Sequence, residues 1–202
     1  MLIVGVTGGI GSGKSEFAKA LESLGMSRID ADAVGKNVLD SDPDLQQRII
    51  QTFGDEVLDS QHQINRSALA KRVFQNNEVL ATFNAMIQPA LVRQIEKIID
   101  DCQMSERLGA VILDMAILFE TGLDKKCHHV VVVTAPETVR VARVQAAKNW
   151  SVEDIHHCMA RQMSESDYVK KADTVIRNSD TLASLEEDAR YFYERVVEAQ
   201  KQ

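Results

Sequence analysis

The spacing of apolar positions changes rhythm repeatedly along this chain. MLIVGV at the N-terminus, GAVILD at 109–114 and HHVVVVT at 128–134 are short apolar runs rich in β-branched residues, the signature of buried parallel strands. SRIDAD at 27–32 and ADTVIRNS at 172–179 are candidates for a second and a fifth strand. Between these runs, apolar residues recur every three or four positions. Phe17, Ala18, Leu21 and Leu24 stop at Gly25, and Leu185, Ala189, Phe192 and Val196 mark a final helix. Leu91, Ile95, Ile98, Ile99 and Cys102 form another stripe, with Pro89 read as the residue that opens it; Pro43 and Pro136 open two more helices.

Strands and helices in alternation predict an α/β fold, a three-layer sandwich around a five-stranded, mainly parallel sheet. One interval breaks the alternation. From Ala33 to Cys102 no β-rich run appears, and about seventy residues between consecutive strands is too long for an ordinary crossover. The expected organisation is a single domain over 1–202. Its core would comprise 1–32 and 106–202, with an inserted helical subdomain over 33–105.

Composition narrows the class. A 45% hydrophobic content supports a packed core. Lys and Arg total 23 against 30 for Asp and Glu, a net charge of −7, which opposes a nucleic-acid backbone as main partner and favours a small substrate gripped by a local basic patch. Cys102, Cys127 and Cys158 are odd in number, widely spaced and without CxxC pairing, so they read as reduced thiols in a cytoplasmic protein. The pairs His128-His129 and His156-His157 point apart on a strand or a helix and read as surface histidines rather than metal ligands. No apolar run reaches membrane-spanning length, and a strand begins where a signal peptide would lie. A monomer or weak homo-oligomer without a membrane partner is expected.

The densest chemistry is GGIGSGKS, Gly8 to Ser15, which fits the phosphate-binding (P-loop) pattern between a strand and a helix. Small residues let backbone N–H groups turn inward around phosphates, and the helix N-terminus adds its dipole. Lys14 would reach the outer phosphates, and the Ser15 hydroxyl would sit on their Mg²⁺. Asp30 and Asp32 end the second strand, where ligands of parallel sheets collect; Asp32 reads equally well as the N-cap of the next helix. Asp114 closes the third strand, as an acid that helps hold Mg²⁺ or as the cap of a helix beginning near Ala116. The region from Pro136 to Ala172 carries Arg140, Arg143, Lys148, Arg161, Lys170 and Lys171. It reads as a cationic lid over 137–172, or as a solvated face balanced by Glu153, Asp154, Glu165 and Asp167. In the insertion, Arg66, Lys71, Arg72 and Arg93 would contact an anionic substrate or face solvent. No guanine-reading Asn-Lys-x-Asp motif occurs, since APET follows Thr134, and the chain is short for a motor or transport ATPase. A compact nucleotide or metabolite kinase remains.

VTGGIGSGKS and IDAD, followed by INRSAL, FNAMIQP, LDMAILFE, ARQMS and KKADTVIRNS, resemble the dephospho-CoA kinase family across nearly the whole chain. The resemblance implies ATP-dependent phosphorylation of the ribose 3′-hydroxyl of dephospho-CoA, with Mg²⁺. Two other readings are a kinase of another small metabolite, which acceptor screening would reveal, and a non-catalytic ATP switch, which would bind nucleotide without releasing ADP. By position, the resemblance makes Asp32, Lys14 and Arg143 the candidate catalytic residues. The candidate ATP contacts are Gly9, Gly11, Ser12, Gly13, Lys14, Ser15, Glu16 and Asn178, and the candidate acceptor contacts are Thr7, Asp32, Arg66, Arg140 and Lys148. Ser15 and Asp114 are the candidate metal ligands. The chain departs from the family pattern at Glu16 for Thr, Lys36 for Arg, His62 for a turn Gly, Gln88 for His, Ala116-Ile117 for Pro-Leu, and Lys148 for a second lid Arg.

Overall fold

The computed structural model describes residues 1–105 and 109–201, the side chains of Gln200 and Lys201 excepted. In chain order the elements are β1 (Leu2–Thr7), α1 (Lys14–Ser23), β2 (Ser27–Asp30), α2 (Ala31–Ser41), α3 (Pro43–Phe53), α4 (Arg66–Val73) and α5 (Asn77–Met104). They continue with β3 (Ala110–Asp114), β4 (His129–Thr134), α6 (Glu137–Lys148), α7 (Val152–Ala160), α8 (Glu165–Lys171), β5 (Thr174–Arg177) and α9 (Leu182–Phe192). The chain forms two compact units, Met1–Asp30 with Cys102–Gln202, and Ala31–Asp101. The second boundary expected from sequence, between 105 and 106, abuts residues 106–108, which lie outside the described residues.

The first unit is built on one sheet of order β2-β3-β1-β4-β5, with every neighbouring pair parallel. β1 is the middle strand and is buried along its whole length, so both of its faces need cover. On one face Leu2, Val4, Val6, Ile112, Val131 and Val133 pack against Phe17, Ala18 and Leu21 of α1 and Leu185, Ala189 and Phe192 of α9. Phe17 is fully buried and meets Phe192 edge-on at 6.1 Å. On the other face Gly5 lies under Leu118 and Cys127, where a Cβ would fall 2.7 and 2.8 Å from their side-chain atoms. The segment after β3 therefore forms part of the third layer.

Several local expectations change. β2 stops at Asp30 and α2 begins at Ala31, so Asp32 lies inside the first helical turn rather than on the strand or at the cap, a place where an acid complements the helix dipole. Residues 116–122 form turns rather than a helix opened by Asp114. His129 is half-buried, against the Phe192 ring at 5.3 Å and Thr174 Oγ1 at 2.8 Å, while His128 is exposed.

The second unit, considered by itself, is helical. α3 opens at Pro43 behind Asp42, whose side chain accepts from Leu45 N at 2.9 Å. Pro89, however, sits inside α5 instead of opening it. A proline there removes one backbone donor, yet Met86, Ala90, Leu91, Ile95 and Ile99 are buried along one face, and that tertiary burial outweighs a local helix break. His62 has φ 57, a left-handed conformation costly for a residue with a Cβ.

Candidate nucleotide-binding site

The loop between β1 and α1 has the local geometry its sequence requires. Gly13 is left-handed at φ 92, ψ 15 and hands the chain to α1 at Lys14. Ser12 N donates to Gly9 O at 3.1 Å, and Phe17 N donates to Gly13 O at 3.0 Å. Three glycines are dictated by close approach, Gly11 among them, where a Cβ would lie 2.6 Å from Arg140 O. A Cβ on Gly8 would lie 2.2 Å from Val133 O of β4, and one on Gly13 would lie 2.2 Å from Asn178 Nδ2. Lys14 and Ser15, both half-buried, occupy the first two positions of α1, at the positive end of its dipole.

Asn178 and Arg143 form a hydrogen-bonded chain that ties this loop to α6. Asn178 is buried after β5; its N donates to Thr134 O at 2.8 Å and its Nδ2 to Ser12 O at 2.9 Å. Arg143 donates to Asn178 O and Oδ1, each at 3.2 Å, and to Asp180 O at 3.4 Å. Both side chains thus hold protein groups in place. Arg140, one turn earlier, lies at the loop itself: its Nη1 is 3.0 Å from where a Gly9 Cβ would be, and its buried Nε has no hydrogen-bond partner.

The remaining predicted residues divide between the two units. Thr7 is fully buried and spends its hydroxyl on Ala116 O at 3.2 Å, an oxygen that also accepts from Tyr168 at 3.3 Å. Burial pushes the Tyr168 phenol up to about 12, so it stays a donor. Glu16 is exposed and pairs with Lys19 at 2.7 Å. Lys148 lies 4.8 Å from the centre of the Trp150 ring. Asp32 and Arg66 belong to the helical unit. Asp32 is exposed, and Arg66, first residue of α4, pairs with Asp40 at the edge of an apolar groove of about 190 Å³ lined by Leu39, Leu69, Val73 and Phe83.

Asp114 is 4% exposed at the end of β3, beside β1. Its Oδ2 accepts from Arg28 Nη2 at 2.6 Å, and Arg28 also reaches Asp30 at 3.0 Å. Burial opposes the charge on Arg28, but the hydrogen bond and field of Asp114, aided by Asp30 and Glu22, leave its pKa above the ordinary value. Asp114 Oδ1 is buried without a partner. An orphan carboxylate oxygen is a hard donor suited to Mg²⁺ or its water shell, and the Ser15 hydroxyl is the same kind of ligand, so this pair fits the ion. No cluster of three or more His, Cys, Asp or Glu side chains able to hold a metal occurs among the described residues.

Sequence reasoning missed two residues. Arg28 carried a signal, being a charged side chain on the same strand face as Asp30 two residues on. Gln162, whose Oε1 accepts from Ile10 N of the loop at 2.8 Å, carried none beyond its place in the ARQMS block.

The family model for dephospho-CoA kinase matches residues 2–184. A dephospho-CoA kinase of Corynebacterium diphtheriae is 37% identical over 195 residues, covering 96% of this chain and 97% of the relative. The crystal structure of TT1252 from Thermus thermophilus superposes with a TM-score of 0.78 at 30% identity, covering 96% and 97% of the two chains. Dephospho-CoA kinase from Campylobacter jejuni shares the fold, with a TM-score of 0.73 at 23% identity and 98% of each chain covered.

Proposed function

The chain belongs to the dephospho-CoA kinase family, and we propose that it transfers the γ-phosphoryl group of ATP to the ribose 3′-hydroxyl of dephospho-CoA, yielding coenzyme A and ADP. The loop amides and Lys14 bind the phosphates and take up charge as the transferring group separates from ADP. Ser15 and Asp114 would hold Mg²⁺ with ATP, and the ion would supply further positive charge to the phosphates. Arg28 holds Asp114 by its Oδ2 and so leaves Oδ1 available. Asp32 orients the attacking hydroxyl and takes its proton late, since a loose transition state needs little deprotonation. Arg140, packed on Gly9, supplies the lid cation, while Arg143 acts through Asn178 as a positioning residue. Arg66 and the helical unit receive the acceptor, the 137–172 segment acts as the lid, and the protein works in the cytoplasm on a small molecule.

The observation that carries this reading is the P-loop with Lys14, Asp114 and Arg140 gathered on one sheet unit of a chain matched over residues 2–184. Its test is coupled ADP release with dephospho-CoA, shikimate and nucleoside monophosphates as rival acceptors, followed by phosphorus NMR of the product. Turnover with dephospho-CoA alone and a new 3′-phosphomonoester signal are expected. Preference for another acceptor overturns the assignment, and wild-type kcat in Asp32→Asn removes Asp32 from it.

A further inference from the structure

Gln162 follows α7 and is far from the loop in sequence, yet its amide carbonyl takes the Ile10 N–H at 2.8 Å. It does so beside Arg140: a Cβ on Gly9 would meet Arg140 Nη1 at 3.0 Å and Gln162 Oε1 at 3.3 Å. A guanidinium and a primary amide therefore converge on the second and third residues of the phosphate loop. The amide is planar, so fixing its carbonyl also fixes its Nε2 amino group, for which no protein acceptor is recorded among the described residues. A side-chain amide can accept from a loop N–H and donate to an anionic oxygen with one rigid, uncharged group.

We propose that Gln162 contacts the γ-phosphate of bound ATP: Ile10 N–H holds its carbonyl, and its Nε2–H group donates to an outer phosphate oxygen alongside Arg140. This rests on the P-loop kinase reading but not on the identity of the acceptor. ADP lacks the phosphate concerned, so the contact separates ATP from ADP.

The test is the Kd of ATP and of ADP, each with Mg²⁺, for the wild type, Gln162→Glu and Gln162→Met, together with Tm for each protein. Gln162→Glu keeps the shape and the acceptor for Ile10 N–H but replaces the donor by an anion. A hydrogen bond to a charged group corresponds to roughly 10- to 150-fold in affinity, so ATP binding should weaken at least ~10-fold with ADP affected less than ~3-fold. Gln162→Met removes both functions and should show the same ATP-selective loss with a lower Tm, as the loop amide loses its partner. If Gln162→Glu binds ATP and ADP as the wild type does, or weakens both equally, Gln162 only props the loop and the proposal is wrong. Because no acceptor enters these measurements, that outcome is distinct from a failure of the dephospho-CoA assignment.

Discussion

Gly13 and Asn178 offer a sharp test of how the phosphate loop is held. In Gly13→Ala two costs arise together. The left-handed φ of 92 costs about 1–2 kcal/mol once a Cβ is present. The new methyl would also stand 2.2 Å from Asn178 Nδ2, forcing that amide away from Ser12 O; losing this buried bond costs about 1–3 kcal/mol. The single variant should therefore lose about 2–5 kcal/mol. At a size of 202 residues this lowers Tm by about 4–20 °C. Asn178→Ala alone should lose about 1–3 kcal/mol for the same hydrogen bond. In the double variant the clash is gone and the bond is already lost, so adding Gly13→Ala should cost only the backbone term, about 1–2 kcal/mol. Urea denaturation followed by circular dichroism on all four proteins should give a double variant more stable than the sum of the singles by at least about 1 kcal/mol. Additivity within about 0.5 kcal/mol would refute the account of Asn178 as the clamp that dictates glycine at this position.

Three further outcomes are expected. Lys14→Met should lower kcat about 10²-fold or more while leaving the urea midpoint unchanged, because the ammonium acts on developing charge; a loss below tenfold in single turnover would remove it from that role. His62→Gly should raise stability by up to about 1 kcal/mol by relieving the left-handed strain at φ 57, partly offset by the extra freedom of glycine in the unfolded chain; a lower urea midpoint would contradict it. Burial lowers the His129 pKa, only partly opposed by Asp173, so between that lowered value and 6.5 the unfolded chain binds the extra proton. Stability should thus fall as pH drops below about 6.5, and His129→Gln should flatten that slope; an unchanged slope would rule His129 out as its source.

How much was legible from sequence varied with the range of the forces involved. The phosphate loop, the helix that follows it and the strand runs were readable because strand, glycine turn and helix start depend on neighbours within a few residues. Pro89 misled because a proline opens helices more readily than it sits inside them, yet the burial of Met86, Ala90 and Leu91 around it decided the outcome. The end of β2 was misplaced by two residues because Asp30 and Asp32 look alike in sequence, and only pairing with β3 as far as Asp114 shows where the strand stops. His62 was marked as a departure from a glycine, and its positive φ supplies the physical meaning of that mark.

By itself the sequence determined the chemistry on offer: a cradle for phosphates, a lysine and a serine at a helix start, and acids at strand ends. It could not decide which groups spend their hydrogen bonds inside the protein. Asn178 reaches Ser12 across 166 positions, Gln162 reaches Ile10 across 152, and Arg28 reaches Asp114 across 86. Such pairs form because a parallel sheet brings the C-terminal ends of distant strands together, and a buried polar group there must find a partner or bear its desolvation cost. Local spacing fixes what each residue is able to do; the tertiary fold decides which of those capacities remain free for a substrate.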